Sequence, residues 1–254
     1  MSSMHSVAVV VPCYNEEQRL RADTFMRELS NNPSLTILFV NDGSRDNTLG
    51  VIQRICDANP ASALCLSLGE NSGKGEAVRR GMLYLLEKGN YDIIGFWDAD
   101  LAVPLSEIWD FAEIFRQRPN VQGVIGTRAH LAGHLIERVK FRHYMGRLFA
   151  TVMCLTFDFE IYDTQCGAKL FNSKILPPVI EEPFCSRWVF DVELIIRISR
   201  IAFLQNKNKW LHHDSWLYEM PVKEWRNVSG TKRSLSAYST AILDYMAMIR
   251  KYLL

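Results

Sequence analysis

The chain alternates short continuous apolar runs with longer segments whose apolar residues recur at helical spacing. Val7–Val11 is a run of mostly β-branched residues, followed by a polar, charged stretch from about Glu16 to Ser30 that predicts a first helix. Leu35–Asn41 is a second apolar run, ending in Asp42-Gly43-Ser44. Asp46 or Asn47 offers a cap for the next helix, which carries Leu49, Ile52 and Ile55. Ala63–Leu68, Tyr91–Trp97 and Val121–Gly126 predict three further strands, with helices at Lys74–Lys88 and Leu105–Gln117 between them. Apolar strands separated by amphipathic helices predict a mostly parallel sheet covered on both faces.

After Arg128 the pattern changes. A long basic helical segment, about Leu135–Met153, leads to a loop around Asp163–Gly167. A short strand-like piece, Ala168–Phe171, and a helix at Phe190–Ala202 follow. Residues 205–215 are polar and predict a loop or hairpin excursion. Trp216–Trp225 has the character of a strand interrupted at Pro221, and Lys232–Leu254 of a closing helix. With no repeat, low-complexity tract or linker, the chain is expected to form a single domain over residues 1–254.

In a parallel α/β sheet, ligands sit at the carboxyl ends of the strands. Polar clusters occur at those places: Asn15-Glu16, Asn41-Asp42-Gly43-Ser44, Asn71-Ser72-Gly73-Lys74 and Asp98-Ala99-Asp100. The two acids of FWDAD, spaced by one small residue after an apolar strand, can turn both carboxylates into one crevice. Hard oxygen ligands of this kind suit Mg²⁺ or Mn²⁺ bridging a diphosphate. Taken alone, the same triplet is also an ordinary turn with solvated acids. Asp42 can accept the N3–H of a uracil ring or simply form an Asx-type turn. Tyr14, Asn15 and Glu16 can flank a base, or cap a helix with an acidic first turn.

Two nucleotide-binding motifs are excluded by spacing. Only Glu70, Asn71 and Ser72 separate Gly69 from Gly73, and Gly75 stands where a phosphate loop needs a hydroxyl. The first strand ends PCYNEE, without the glycine fingerprint of a dinucleotide-binding fold. The loop still offers flexible backbone and one cation, Lys74, beside a nucleotide.

Composition narrows the setting. The 254 residues carry 29 basic and 28 acidic side chains, for a net charge of +1, which removes any overall electrostatic argument for nucleic-acid binding. The ten-residue stretch Leu148–Phe157 is half of the roughly 20 residues that a membrane-spanning helix needs. The N-terminus has no basic region and no cleavage pattern of a signal peptide. Six scattered cysteines without a CxxC pair suggest reduced thiols in a cytoplasmic protein.

VVVPCYNEE, FVNDGSRDNT, NSGKGEAVRRGM and FWDADLAVP, in this order, resemble the family-2 glycosyltransferases of GT-A fold. GTRAHLAG, RVKFRHYMGRLF, YDTQCGAKLFN and RWVFDVELI resemble in particular the dolichyl-phosphate β-glucosyltransferases, over about residues 6–202. The processive members carry QxxRW; here Phe184 stands at the glutamine position before Arg187-Trp188, which argues against a polysaccharide synthase. Ala102 stands two residues beyond the DxD, where mannose synthases carry a further metal ligand.

The resemblance implies a Rossmann-like GT-A domain with a nucleotide-sugar half (1–128) and an acceptor half (129–254). It implies metal-dependent, inverting transfer of a hexose, glucose from UDP-glucose, to a polyprenyl phosphate. Pro12, Tyr14, Glu16 and Asp42 would line the nucleoside pocket, with Lys74 and Asp98 beside the nucleotide. Asp98 and Asp100 would hold Mg²⁺ or Mn²⁺. Arg128, Arg138, Arg142 and Arg147 would receive the acceptor phosphate, within a segment holding eight Arg, Lys and His residues from Arg128 to Arg147. Asp163, Gln165 and Cys166 would sit by the sugar, with Asp191 and Glu193 near the floor of the site. Asp163 or Asp191 could act as base toward a hydroxyl acceptor. By itself, the basic segment is equally the solvated face of a helix. Apolar residues of the closing helix, from Leu235 to Leu253, suit either packing on the core or contact with the cytoplasmic membrane face. Packing is the expectation adopted.

Overall fold

A computed structural model describes residues 5–137, 140–187, 189–205, 216–228 and 235–253. The strands are β1 (Val7–Cys13), β2 (Leu35–Asp42), β3 (Ala63–Leu68), β4 (Ile93–Trp97) and β5 (Gly123–Thr127), then β6 (Leu135–Ile136), β7 (Ala168–Asn172), β8 (Leu217–Pro221) and β9 (Glu224–Trp225). The helices are α1 (Ala22–Asn31), α2 (Thr48–Ala58), α3 (Lys74–Lys88), α4 (Ile108–Gln117), α5 (Lys140–Phe157), α6 (Leu176–Ile180), α7 (Phe190–Gln205) and α8 (Leu235–Tyr252).

Among the described residues, seven strands form one sheet in the order β3-β2-β1-β4-β7-β5-β8, and β6 pairs with β9 in a small second sheet. All pairings of the main sheet are parallel except those of β7, which runs antiparallel between β4 and β5. The order reverses between β1 and β4: β2 and β3 lie on one side and the later strands on the other. Such a switch point leaves a crevice beyond the carboxyl ends of the strands.

Alternation along β1 explains the two-layer core. Val7, Val9 and Val11 join Phe39 and Trp97 under α1, α2 and α4, through Phe25, Ile52 and Phe111. Ala8 and Val10 point to the other face and join Leu38, Val40 and Phe96 with Val78 of α3 and Val192 of α7. Both faces are covered, so the strands read as continuous apolar runs.

Several boundaries differ from the sequence expectation. Residues 16–20 form a turn, with the Leu20 and Arg19 N–H groups both donating to the Glu16 carbonyl, and the helix begins only at Ala22. The basic helix begins at Lys140, because Leu135–Ile136 pairs with Glu224–Trp225 as a strand. Helical periodicity cannot register that distant partner. The short helix α6, with prolines in its first turn, was not expected. Trp216–Trp225 does divide at Pro221, into β8 and β9. The closing helix packs on the core, but through Met248 and Tyr252. Ile242, Met246 and Leu253, expected on its packed face, are exposed.

Candidate active site

The loops after β1, β2, β3 and β4 meet at the carboxyl edge of the sheet. A cleft of about 500 Å³ opens there, lined by Tyr14, Asn41, Gly43, Ser44, Arg45, Leu49 and residues 67–71. Tyr14 is the one expected nucleoside contact on this wall. Asp42 lies behind it, 3% exposed, with its two carboxylate oxygens accepting the N–H groups of Ser72 at 2.7 Å and Gly73 at 2.9 Å. Both oxygens thus hold the loop at Ser72 and Gly73. Pro12 and Glu16 also stand outside the cleft lining. Asn41, from the expected strand-end cluster, bonds at 2.9 Å to Ser67, a polar side chain of the cleft that sequence reasoning did not single out.

The same loop is fastened from the other side. Arg187 donates to the carbonyls of Asn71 (2.7 Å) and Ser72 (3.1 Å). Gly73 has φ +92°, and a Cβ there would stand 2.8 Å from the Arg187 side chain. Only glycine meets both demands at the start of α3. The arginine of the RW pair is therefore a loop anchor; Trp188 lies outside the described residues.

Asp98 and Asp100 follow β4 directly. Asp100 accepts the Ala102 N–H at 3.0 Å. Leu101, directly after Asp100, takes a left-handed φ of 52° while only 7% exposed. Leucine avoids this region, so tertiary packing over-determines the turn that aims the carboxylates. Burial raises the Asp100 carboxyl above its ordinary range, and the negative charge of Asp98 raises it further. Burial also lifts Glu16 to about 7; Arg19 opposes this, while Asp100 and Asp98 add to it. One Glu16 oxygen is buried without a hydrogen-bond partner. Three acids thus share one crevice whose field favours a cation.

Lys74 provides one cation, 2.5 Å from Asp98. Burial pushes its ammonium down, but Asp98 and Asp191 outweigh this and the net shift is upward. Gly167 forms the far wall: its carbonyl accepts the Asp98 N–H at 2.9 Å, and a Cβ would stand 1.8 Å from an Asp98 carboxylate oxygen. Among the described residues no cluster of three His, Cys, Asp or Glu ligands is formed. Two carboxylates from one turn suit Mg²⁺ or Mn²⁺, which commonly take one or two protein carboxylates and complete their shell with phosphate and water. The donor set fits that mode.

Beyond the carboxylate turn, Arg128 grips Asp163 with two parallel bonds of 2.6 and 2.7 Å. Asp163 raises the pKa of this buried guanidinium despite the cost of burial. A small cavity beside the pair is lined by Arg128, Gly146, Arg147, Ala150 and residues 162–165. Arg147 donates to the Tyr162 carbonyl and stacks on its ring, 3.8 Å from the centroid. Thr164 Oγ1 and Gln165 Nε2 on the same loop are buried without hydrogen-bond partners. Glu219 holds this loop, accepting the N–H groups of Tyr162 and Asp163 at 2.8 and 3.0 Å. The charge of Asp98 acts on both Arg128 and Cys166, so the carboxylate turn and the Arg128–Asp163 pair adjoin.

Some expected roles do not fit the geometry. Asp191 is 3% exposed and bonds at 2.6 Å to Lys169, which is fully buried beneath the site. It is the counter-ion of that lysine and not a base facing an acceptor. Glu193 pairs with Arg197 at 2.8 Å and accepts the Tyr252 hydroxyl at 2.7 Å, anchoring α8. Burial pushes the Cys166 thiol up to about 12, which leaves it inert. Arg138 lies outside the described residues. The backbone of Arg142 belongs to α5, and its side chain lies outside the description. His134, in the loop after β5, bonds through its ring to the Val222 carbonyl at 2.8 Å.

A two-faced α/β sheet with its polar crevice at the switch point, and a DxD turn in that crevice, defines a GT-A-type domain. Comparison with known proteins agrees. A sequence model described as glycosyl transferase family 2 matches residues 8–176. Dolichyl-phosphate beta-glucosyltransferase of Trichomonas vaginalis is 30% identical over 247 residues, covering 92% of this chain and 68% of that protein. The Saccharomyces cerevisiae enzyme of that name is 30% identical over 266 residues, covering 96% and 74%. Glucosyl-3-phosphoglycerate synthase from Mycobacterium tuberculosis, solved with Mn²⁺ and UDP-glucose, shares the fold at a TM-score of 0.64 and 18% identity, over 98% of this chain and 79% of that one. The chain belongs to glycosyl transferase family 2, and it is a glycosyltransferase.

Proposed function

We propose that the protein transfers glucose from UDP-glucose to a polyprenyl phosphate, inverting the anomeric carbon with the help of Mg²⁺ or Mn²⁺. The observation that carries this is a continuous line along one sheet edge: a nucleoside-sized cleft, the Asp98–Asp100 turn, then Arg128 and Arg147. In this reading residues 1–128 hold the donor and residues 129–254 the acceptor. Asp98 and Asp100 would hold the cation, which supplies Lewis-acid stabilisation of the departing diphosphate when bound. Tyr14 would flank the base, and Lys74 adds positive charge beside Asp98.

An acceptor phosphate is ionised at pH 7 and needs no base to remove a proton. One of its oxygens would attack C1 of glucose while the C1–O bond to UDP breaks, so the bonding pair leaves on the diphosphate. In-line attack on an α-linked donor gives a β-linked product. Arg128 and Arg147 would orient that phosphate, joined by Arg138 and Arg142. Asp163 then has a positioning role, holding the Arg128 fork in plane. A hydroxyl acceptor would need a carboxylate base. Asp163 and Asp191 are instead committed to Arg128 and Lys169, which favours the phosphate.

The same reading places the protein in the cytoplasm, in peripheral contact with a membrane. Leu148, Val152 and Leu155 of α5 and Ile242, Leu243 and Met246 of α8 expose apolar surface. A bond of 2.7 Å between Thr156 and Tyr245 joins these two helices. No described helix is long and apolar enough to cross a bilayer.

The test is UDP release from UDP-glucose with Mn²⁺ or Mg²⁺, with and without a short polyprenyl phosphate, beside Asp100→Ala. Release that depends on lipid phosphate, metal and Asp100 is expected. UDP binding without turnover on any lipid phosphate would overturn the acceptor assignment and direct attention to hydroxyl acceptors.

A further inference from the structure

Lys74 and Asp98 are 24 positions apart in sequence and come from different loops, yet their side chains meet at 2.5 Å. The ammonium also lies over two aromatic faces, 5.6 Å from the Phe96 centroid and 6.0 Å from that of Phe190. These rings hold it in the crevice when its ion-pair partner changes. Its backbone pivot is fixed, because Asp42 and Arg187 clamp residues 71–73 from opposite sides. Only the side chain is free to swing.

The Asp98 side chain keeps 35% of its surface exposed, so a cation's access to it turns on what already holds its oxygens. Gly167 closes one side of the carboxylate, so closely that a Cβ would meet both of its oxygens. Lys74 covers the oxygen it bonds. On Asp100, one oxygen is engaged by the Ala102 N–H. A divalent cation approaching this turn therefore meets an ammonium already neutralising Asp98, and two cations on one carboxylate oxygen repel each other.

We propose that Lys74 is a built-in placeholder cation: it occupies Asp98 until a nucleotide diphosphate arrives, and so couples metal admission to nucleotide binding. The diphosphate gives the ammonium a new anionic partner and frees Asp98 to ligate. Metal and nucleotide then bind with positive coupling beyond that of the direct metal–phosphate bond. Nucleotide-free enzyme resists loading by divalent cations. This rests on the metal site of the proposed function and adds to it a positioning residue with a measurable thermodynamic signature.

The test is the binding of Mn²⁺ alone, read from the loss of the free-ion electron paramagnetic resonance signal, to the wild type, Lys74→Met and Lys74→Arg. Each is titrated without nucleotide, with uridine and with UDP; melting temperatures confirm folding, and Lys74→Gln replaces a misfolded Met variant. Wild type is expected to bind Mn²⁺ weakly without nucleotide, to gain nothing from uridine and to tighten with UDP. Lys74→Met should bind nucleotide-free Mn²⁺ about tenfold more tightly than wild type, the scale of a partly buried ion pair released. Lys74→Arg should keep the wild-type pattern. Equal or weaker nucleotide-free affinity in both neutral variants overturns the placeholder role, whatever UDP does. Absence of Mn²⁺ binding in every protein even with UDP removes the metal site itself, and the placeholder with it.

Discussion

Substituting Gly167 by alanine tests whether the floor of the carboxylate turn is as tight as it looks. The new methyl would stand 1.8 Å from one Asp98 oxygen and 2.6 Å from the other. Carbon–oxygen contacts settle at about 3.3–3.6 Å, so the carboxylate must retreat by roughly 1.5 Å. The backbone cannot easily yield instead, because the Asp98 N–H is bonded to the Gly167 carbonyl at 2.9 Å, directly beyond the last β4–β7 pair, Trp97 with Ala168. The side chain is the softer element, and turning it away breaks the Lys74 contact and misplaces Asp98. Misplacing a catalytic group by about 1 Å costs on the order of 100-fold in rate, near 2.7 kcal/mol of barrier. Gly167→Ala should therefore lose at least about tenfold in Mn²⁺ affinity with UDP present and on the order of 100-fold in UDP release. The check is a double-mutant cycle with Asp98→Ala, read by Mn²⁺ titration, turnover and urea unfolding. Once the Asp98 carboxylate is gone, the Gly167→Ala stability cost should vanish. A folded Gly167→Ala enzyme within threefold of wild type, or a stability cost unchanged in the Asp98→Ala background, would refute the reasoning.

Three further predictions follow from single features of the structure. The side chains of Lys169 and Asp191 are 0% and 5% exposed; Asp191→Asn strands a buried ammonium and should cost about 3–5 kcal/mol in urea unfolding, whereas Lys169→Met/Asp191→Leu should lie near wild type. A cost below about 1 kcal/mol for Asp191→Asn would show that the charge is compensated elsewhere. Glu16 has its pKa raised from 4.5 to about 7, so between these values the folded state binds more protons than the unfolded one and stability falls as pH rises. Relative to Glu16→Gln, wild type should lose on the order of 3 kcal/mol from pH 4.5 to 7.5; a difference that stays flat with pH contradicts the shift. Leu148→Glu/Leu155→Glu, on positions 58% and 82% exposed, should abolish sedimentation with anionic vesicles and leave the melting temperature within a few degrees; unchanged sedimentation would exclude this face from membrane contact.

Much of the molecule was legible in the order of its residues. The strand from Val7, the boundaries of Lys74–Lys88 and the break at Pro221 follow from local apolar pattern, glycine and proline, which act within a few residues of themselves. The polar clusters were expected at strand ends for a topological reason, and that is where the cleft and the Asp98–Asp100 turn lie. The misplaced start of the basic helix has a distant cause. Leu135–Ile136 was absorbed into a helix because its partner, Glu224–Trp225, lies far along the chain. The closing helix presents apolar residues nearly all round, so periodicity alone could not choose which stripe is buried.

Residue types and their spacing determined the α/β class and the carboxylates at the end of the fourth strand, and the ordered motifs resemble those of the family to which the chain belongs. They could not determine partners. Asp163 and Asp191 were equivalent acids on paper; folding gives one to Arg128 and the other to Lys169. Asp42 was a candidate base contact and became a clamp for the loop at Ser72 and Gly73. Lys74 was a loose cation in a glycine-rich loop and became the partner of Asp98. Glutamates at 107 and 219, silent in sequence, each accept two backbone N–H groups of a distant segment. The physical reason is range: secondary structure follows from sterics and periodicity along the chain, whereas the fate of a charge depends on what the tertiary fold brings within 3 Å of it after water has been excluded.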